Sequence, residues 1–251
     1  MRSSRATAVS STPFRTDELE AVAYDFWRAP EVAEVDGRRL RFAHGVSGRA
    51  NSVWPYDSGT LPLDDKIDRA EEWYRARGVP VLFQLTDASR PERLEAALIA
   101  RGYDRGSGPV SVEVALLDDV LERTDGDADV SEQLDDAWLE LWAGSRGFGN
   151  HDVVRAILTA GDAVFARVGD IAVGRGVAVG EWLGITSMAT LPEARRQGHA
   201  RAIVHALARW ADGRGCTHAM IQTEAANTPA RILYAHAGFV PHHEYRYRIL
   251  R

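Results

Sequence analysis

The chain of 251 residues is poor in cysteine, in long apolar runs and in excess positive charge. Its single cysteine, Cys216, excludes an internal disulfide and a zinc site made of thiolates. No segment comes near the roughly 18 continuous apolar residues of a membrane-spanning helix, and residues 1–14 lack the apolar core of a signal peptide. We therefore expect a cytoplasmic protein with no membrane partner.

The net charge of −6 and the pI near 5.8 indicate an acidic surface. Such a surface repels nucleic acid and anionic membranes, because both carry negative charge. Nucleic-acid binding through an arginine-rich helix start is a minor alternative, but no aromatic residues interleave with those arginines. We expect no nucleic-acid partner, and any anion site must be confined to one part of the surface.

Two long stretches, residues 71–103 and 208–239, contain the same order of parts: a helix end, a strand, a helix that begins at a proline, and a glycine followed by an aromatic residue. Their matching residues lie 136 to 138 positions apart: Gly102 and Gly238, Trp73 and Trp210, and Gln84 and Gln222. This period indicates two copies of one domain, because solenoid repeats span about 20–50 residues. The predicted organisation is a flexible N-terminus, a first domain, a linker and a second domain, at residues 1–14, 15–120, 121–130 and 131–251.

The second half is predicted to have the element order ααβββαβαβ. Gly169-Asp170 and Gly180-Glu181 are typical of tight antiparallel hairpins, and they join three strands that end near residue 190. Apolar residues at helical spacing then predict a helix that begins near Gly198. In the first half the patterns predict a helix, two strands, a helix, a strand and a helix. The acidic stretch 117–133 is predicted to be a linker or a crossing helix.

Three arginines surround the start of the helix near Gly198: Arg195, Arg196 and Arg201. The free amide N–H groups of a first helical turn and the positive end of the helix dipole both favour an anion at such a place. Gly198 and Ala200 keep bulky side chains away from the main chain, so a diphosphate can approach it. The alternative is an arginine-rich helix start on a solvated surface.

The segment RRQGHA at 195–200 resembles the Arg/Gln-x-x-Gly-x-Gly/Ala signature of the GNAT superfamily of N-acetyltransferases. Residues 221–239 resemble the second motif of that family, and three parts of it are in register: Asn227, Leu233-Tyr234 and Gly238-Phe239. The two motifs follow each other in the family's order, with the expected elements between them. The resemblance implies an α/β (α+β, mixed-sheet) fold with two tandem GNAT-like domains, each a mostly antiparallel mixed sheet flanked by helices.

The resemblance also implies an N-acetyltransferase that moves an acetyl group from acetyl-CoA to a primary amine by direct transfer in a ternary complex. It implies that the pyrophosphate of acetyl-CoA is held, mostly by main-chain amides, at Arg195, Arg196, Gln197, Gly198, His199, Ala200 and Arg201. Met188 and Thr190 would pair with the pantetheine arm as a further strand would, and Asn227 would order the loop beside that arm.

Two residues are candidates for the proton transfers. Tyr234 occupies the general-acid position of the family; a tyrosine, with a reference pKa of about 10, can give a proton to the leaving thiolate. The alternative is a core tyrosine, because apolar residues at helical spacing surround it. Glu224, at the end of a predicted strand, can take the proton of the amine directly or through a water, with a surface role as the alternative.

Other suggestive residues are assigned structural roles. The histidines His236, His242 and His243 lack the cysteine and the fixed spacing of a zinc site, so no metal is expected. We expect Cys216 to be buried rather than nucleophilic. The glycine-rich stretch 174–180 lies within a hairpin and opens no helix, which excludes a dinucleotide fingerprint.

The first half lacks the anion loop. Asp64 and Asp65 would repel a diphosphate there, so we expect this half not to bind acetyl-CoA. Ile99 and Ala100 fill the region where the second half has its candidate acid. Residues 42–56 resemble the first half of tandem GNAT proteins, which implies acceptor-groove roles, with strand packing and turns as the alternative, for His44, Arg49, Asn51 and Trp54.

The leading hypothesis is a tandem N-acetyltransferase whose second half binds acetyl-CoA and whose first half supplies packing surface and part of the acceptor site. The alternative is an acetyl-CoA-binding regulatory or assembly module that does not catalyse. Small-molecule and peptide amines both stay open as acceptors, as do acyl groups longer than acetyl, because no motif describes the loops that select them. We expect a monomer, since one half can replace a partner subunit.

Overall fold

A computed structural model describes residues 14–144 and 150–251 of the chain. In these residues the helices are α1 (Thr16–Phe26), α2 (Leu63–Arg75), α3 (Leu94–Ala100), α4 (Leu117–Arg123), α5 (Asp136–Gly144), α6 (His151–Leu158), α7 (His199–Asp212) and α8 (Thr228–His236). The strands are β1 (Glu31–Glu34), β2 (Arg38–Phe42), β3 (Val53–Pro55), β4 (Val81–Leu85), β5 (Asp104–Arg105), β6 (Val110–Leu116), β7 (Asp129–Ser131), β8 (Asp162–Val168), β9 (Ala172–Val179), β10 (Trp182–Thr190), β11 (His218–Glu224) and β12 (Val240–Leu250). None of the described helices is both long and apolar enough to span a bilayer.

One continuous mixed sheet contains all of these strands, in the order β1-β2-β3-β4-β12-β6-β11-β10-β9-β8-β7, with β5 beside β12. Most neighbours are antiparallel, and the parallel pairs in the described residues are β3 with β4 and β10 with β11. Each half thus contains one parallel pair in an otherwise antiparallel sheet. The predicted α/β mixed-sheet architecture is confirmed.

The two halves share strands at the centre of the sheet. β6 comes from the first half of the chain, yet it pairs with β11 of the second half along its whole length. β12 pairs with β6 through residues 240–245 and with β4 through residues 246–250. Main-chain hydrogen bonds therefore join the halves, whereas the domain boundaries expected from the sequence remain a prediction.

The internal repeat is visible in the geometry of matching residues. At the end of α2 the guanidinium of Arg77 lies 3.7 Å from the centre of the Trp73 ring, and after α7 that of Arg214 lies 4.0 Å from Trp210. Both contacts are cation–π interactions of the same kind. The residue spacing noted in the sequence therefore corresponds to a repeated packing arrangement.

The ends of α3 and α8 also match. Tyr103 N–H donates to the carbonyl of Leu98 at 3.0 Å, and Phe239 N–H donates to that of Tyr234 at 2.9 Å. The glycine before each aromatic residue has a left-handed backbone, with φ of 85° and 96°. This register aligns Tyr234 with Leu98, directly before the region of Ile99 and Ala100 that the sequence predicted. None of these three residues has a hydroxyl, so the first half has no counterpart of Tyr234.

The element predictions were incomplete for four strands: β1, β5, β6 and β7. β6 leads directly into α4 without a glycine or proline between them, so the sequence contains no turn signal at that point. β7 lies within the acidic stretch predicted to be a linker or crossing helix, and its residues are exposed at the edge of the sheet. In the same stretch α4 forms the predicted helix, and α5 starts later than expected because Asp135 caps it, accepting from Trp138 N–H at 2.7 Å.

Arg175, on β9, holds the ends of two helices against the sheet. It is fully buried, and its guanidinium donates to the main-chain carbonyls of Phe26 (2.8 Å), Leu158 (2.5 Å) and Ala160 (2.9 Å). These carbonyls lie at the C-terminal ends of α1 and α6, where the helix dipole favours a cation. Burial lowers the pKa of Arg175 to about 9.

We expect Arg175→Met to destabilise the protein. A methionine fills similar space but leaves buried carbonyls without a donor, which costs about 3 kcal/mol or more. Urea unfolding measures the loss. The matched control is Arg209→Met on α7, because Arg209 is exposed and forms no ion pair within the described part of the chain. Equal unfolding midpoints for the two variants would contradict this role.

Candidate active site

The parallel strands β10 and β11 separate at one end. They pair from Trp182 with His218 to Ile185 with Ile221, and no further pairs join them within the described residues. β10 contains a bulge between Thr186 and Ala189, and a bulge bends its strand. The result is a gap between the ends of the two strands, with Met188 and Thr190 on the β10 side and Gln222 and Glu224 on the β11 side.

The chain leaves β10 at the gap and turns into α7. A short 3-10 turn spans Pro192–Ala194, and Arg196 and Gly198 then adopt left-handed backbones with φ of 62° and 89°. Gly198 is the N-cap of α7, with no side-chain cap and no acidic residue in the first turn. A side chain added at Gly198 would meet only the Arg201 guanidinium, at 3.9 Å. The main chain here is therefore open to a ligand.

The amide N–H groups of residues 196–201 have no protein acceptor among the described residues. Around them the side chains of Arg195 and Arg196 are exposed, and Arg201 pairs with Asp125 at 2.8 Å. The side chain of Gln197 donates to the main chain of Glu193 at 3.2 Å. Free amides at a helix N-terminus bind anions, because donors and dipole act in the same direction.

The corresponding loop of the first half, between β3 and α2, is filled by a protein carboxylate. Asp36 accepts hydrogen bonds from the main-chain N–H groups of Thr60 and Leu61, each at 2.9 Å, and pairs with Lys66 at 2.6 Å. Asp57 accepts from Gly59 N–H at 2.7 Å. These contacts hold the pKa of Asp36 well below its usual range, with Lys66 as the main cause. An internal anion thus occupies the place where the second half offers free donors.

The second motif places its residues around the same gap. Asn227 caps α8, and its side-chain oxygen accepts from Ala230 N–H at 3.3 Å. Tyr234 is 5% exposed and packs edge-on against Phe239, with ring centres 6.0 Å apart, in the same core cluster as Ile221. Glu224 is exposed at the end of β11. Packing accounts for the ring of Tyr234, while its role as an acid stays a prediction.

A narrow cleft between the two halves lies on the α1 side of the sheet. Its lining includes Tyr24 of α1, Trp27 directly after α1, Arg49 and Trp54 of the first half, and the repeat pair Gln84 and Gln222. The other two residues proposed for the acceptor groove lie elsewhere. Asn51 holds a turn by accepting from the N–H groups of Ala43 and Gly45, and His44 is exposed against the ring of Phe42.

The comparisons with known proteins agree with this geometry. The model of the family described as "Probable histone acetyltransferase Rv0428c C-terminal" matches residues 15–248. The chain is 26% identical over 246 residues to the "Uncharacterized N-acetyltransferase YobR" of Bacillus subtilis, covering 93% of this chain and 98% of that protein. It is 26% identical over 255 residues to the "Probable histone acetyltransferase Rv0428c" of Mycobacterium tuberculosis, covering 95% of this chain and 76% of that protein. The chain belongs to this acetyltransferase family.

Solved structures similar to the acetyltransferase share its fold. The GCN5-related N-acetyltransferase from Kribbella flavida aligns with a TM-score of 0.65 at 14% identity, over 92% of this chain and 93% of that one. A tandem GNAT protein from the clavulanic acid biosynthesis pathway aligns with a TM-score of 0.61 at 12% identity, over 95% and 90%. The resemblance seen in the sequence is thus confirmed: the protein is a GNAT N-acetyltransferase, an acyltransferase whose fold implies acetyl-CoA as co-substrate.

Sequence reasoning missed several polar residues of the acetyltransferase that lie at the gap or line the cleft. Ser187 lies in the β10 bulge, and its buried hydroxyl has no partner among the described residues. Gln84 and Gln222 both line the cleft, and their repeat spacing was the signal that could have singled them out. Glu20 and Arg41 also line it, but no motif marks them because they come from distant elements.

The remaining expectations concern metal and thiol chemistry. In the parts of the acetyltransferase that are described, no group of three or more His, Cys, Asp or Glu side chains is arranged to hold a metal ion. His242 and His243 instead contact each other, with their Nδ1 atoms 2.9 Å apart. Cys216 is buried as expected, and burial raises the pKa of its thiol, which disfavours a nucleophilic thiolate.

We expect Asn227→Ala to lower the free energy of unfolding by about 1 kcal/mol, because the first turn of α8 loses its side-chain cap. Asn227→Ser is the matched variant, since serine can accept the same hydrogen bond. Chemical denaturation should rank alanine below serine. If the two variants prove equally stable, the cap contributes nothing and another role for Asn227 gains support.

Proposed function

We propose that this acetyltransferase transfers an acetyl group from acetyl-CoA to a primary amine by direct transfer in a ternary complex. The observation that carries the proposal is the row of free main-chain amides at residues 196–201, at the end of the gap between β10 and β11. A diphosphate satisfies these donors, and the arm attached to it extends toward the gap. The charge of Arg195 and Arg196 adds to the attraction in an otherwise acidic protein.

In this proposal the pantetheine arm lies along the unpaired end of β10, at Met188 and Thr190. An extended chain there can use main-chain groups that β11 no longer faces. Gln197, His199, Ala200 and Arg201, of which His199 and Ala200 are half-buried, contribute mainly their amides. Asn227 contributes indirectly, by fixing the start of α8 beside the gap.

The proposed chemistry forms a C–N bond and breaks the C–S bond of the thioester. The attacking amine must be neutral, and Glu224, exposed at the end of β11, takes its proton directly or through a water. The departing thiolate receives a proton from Tyr234, whose ring lies in the core cluster that includes Ile221. The free Ser187 hydroxyl in the bulge can donate to the carbonyl oxygen as negative charge develops on it.

The cofactor site can be tested with Gly198→Asp. This change gives the second half the same kind of internal carboxylate that Asp36 provides in the first. In the wild type, CoA at 100 times its dissociation constant adds about 2.7 kcal/mol of stability, which raises Tm by roughly 5–10 °C. We expect Gly198→Asp to lose most of this shift in a thermal unfolding assay.

The matched control for that assay is Gly215→Asp, beyond the other end of α7. Gly215 also has a positive φ, of 78°, and open space around its Cα, so the backbone strain and the charge change are alike. The control should keep the CoA-dependent shift. Loss of the shift in both variants, or in neither, would count against binding at Gly198.

The acid role can be tested with Tyr234→Phe, which keeps the packing against Phe239. A panel of primary amines is assayed with acetyl-CoA by release of free thiol. We expect kcat to fall by about a hundredfold or more, because proton donation to the leaving group is lost, while the CoA-dependent Tm shift persists. Unchanged turnover would remove the assignment, and CoA binding without any acetylation would favour the non-catalytic module.

A further inference from the structure

The cleft between the halves contains two arginines without a carboxylate partner. Arg41 and Arg49 line it, and neither forms a salt bridge within residues 14–144 and 150–251. The remaining residues, 1–13 and 145–149, contain no aspartate or glutamate that could serve as one. Elsewhere many arginines form salt bridges, such as Arg101 with Asp68 at 2.6 Å, whereas others, such as Arg175, bind only main-chain and hydroxyl oxygens. The cleft therefore contains two guanidinium groups that no carboxylate pairs with directly.

The two arginines differ in how many of their N–H donors remain available to a ligand. Arg41 is buried and donates to the carbonyl and hydroxyl of Ser52, at 3.0 and 2.6 Å, and to Gln84 at 2.9 Å. Arg49 is only half-buried and donates once, to the side chain of Gln222 at 2.7 Å. Its guanidinium rests 5.1 Å from the centre of the Trp27 ring. A guanidinium has five N–H donors, so Arg49 keeps most of its donors for a ligand.

Glu20 also lines the cleft, where it contacts a histidine pair and not Arg49. It lies 2.8 Å from His243 Nε2; the Nδ1 atoms of His243 and His242 are 2.9 Å apart; and His242 Nε2 is 3.0 Å from the carbonyl of Phe14. Glu20 also accepts from the side-chain amide of Gln84 at 2.8 Å, and its charge acts on the buried Arg41. None of these contacts involves Arg49, which forms no salt bridge in the described residues.

The position of Arg49 links this charge to the transfer site. Gln222 is the first residue of β11 beyond its last pair with β10, so it stands at the gap. Side chains alternate along a strand, which puts Gln222 and Glu224 on the same face as Met220, the face that packs with α1. Arg49 therefore contacts the residue at the gap, Gln222, through its hydrogen bond to that side chain. Glu224 lies two residues further along β11.

We propose that the acceptor is an amine that also carries a carboxylate, an amino acid or a related small aminocarboxylate, and that Arg49 binds this carboxylate. This inference rests on the proposed acetyl transfer. A guanidinium binds a carboxylate through two parallel hydrogen bonds, and the stacking on Trp27 orients it. The amino group then points toward the gap and Glu224. A lysine-rich peptide, by contrast, would bring further positive charge to an already positive cleft.

The experiment compares each of the common amino acids with its carboxamide as acceptor, at a fixed acetyl-CoA concentration. The two members of a pair differ only in the anionic group. For the amino acid that reacts best, we expect kcat/KM to exceed that of its amide by about tenfold or more, because a charge-assisted contact is lost in the amide. Arg49→Gln should raise KM for the acid and leave the amide unchanged, and Arg49→Lys should keep part of the preference.

Two further probes examine other acceptor chemistries. Aminoethyl phosphate is compared with ethanolamine, and a lysine-rich peptide is compared with the preferred amino acid. Preference for the phosphate over every carboxylate, or for the peptide, overturns the proposal. So does an equal loss of activity toward acid and amide in Arg49→Gln, provided that its CoA-dependent Tm shift shows a folded protein.

A binding measurement separates failure of this inference from failure of the proposed function. Calorimetry on the CoA-saturated protein compares the same acids and amides without requiring turnover. Tighter binding of the acid in the wild type, with the difference abolished in Arg49→Gln, supports the site even if no acetylation occurs. Absence of any acid-over-amide preference in binding and in turnover overturns it.

Discussion

Main-chain amides that lack a protein acceptor are the feature on which the proposed function depends. At the start of α7 the N–H groups of residues 196–201 face no internal acceptor, and Gly198 allows a ligand to reach them. In the first half, Asp36 already accepts from the equivalent loop and pairs with Lys66. A loop whose donors are satisfied internally offers little to an external anion, because the ligand must first displace a carboxylate. The same duplicated fold therefore contains one open loop and one closed loop.

The shared sheet determines what the first half can contribute. Because β6 pairs with β11 and β12 pairs with β4, the halves are joined by main-chain hydrogen bonds along two central strands. This arrangement brings Gln84 and Gln222, equivalent residues of the repeat, to the same cleft. It also brings Arg49 to Gln222 at the end of the gap. In the proposed function, the first half thus forms one wall of the acceptor site although its own loop is filled by Asp36.

Three arginines with little exposure are used in three different ways around this cleft. Arg175 neutralises the carbonyl ends of α1 and α6, and Arg41 satisfies Ser52 and Gln84. Arg49 alone combines an aromatic support with free donors. Burying guanidinium groups without carboxylates is costly unless main-chain and amide oxygens satisfy them, and Arg175 and Arg41 meet that condition. The N–H donors that Arg49 keeps free are what support its proposed role in binding the acceptor.

The sequence by itself determined the features that depend on local spacing. The apolar period of α7, the hairpin glycines, the Asn150 cap of α6 and the two GNAT motifs are all properties of short segments, and the structure has helices and hairpins where they predict them. The sequence also predicted the duplication, because matching residues kept a nearly constant separation of 136 to 138 positions. The catalytic roles of Tyr234 and Glu224 remain predictions. The residues around Tyr234 fit both a proton donor and a packed core ring, and those around Glu224 fit both a base and a surface carboxylate.

Only the tertiary structure decided which residues from distant elements meet. The insertion of β6 between β11 and β12, the closure of the first loop by Asp36, and the contact of Arg49 with Gln222 join residues between 24 and 173 positions apart. Local periodicity carries no information on such pairings, because it records which face of an element is buried and not what covers it. For that reason the sequence could predict a cofactor loop, whereas the cleft proposed for the acceptor became visible only when the two halves were folded together.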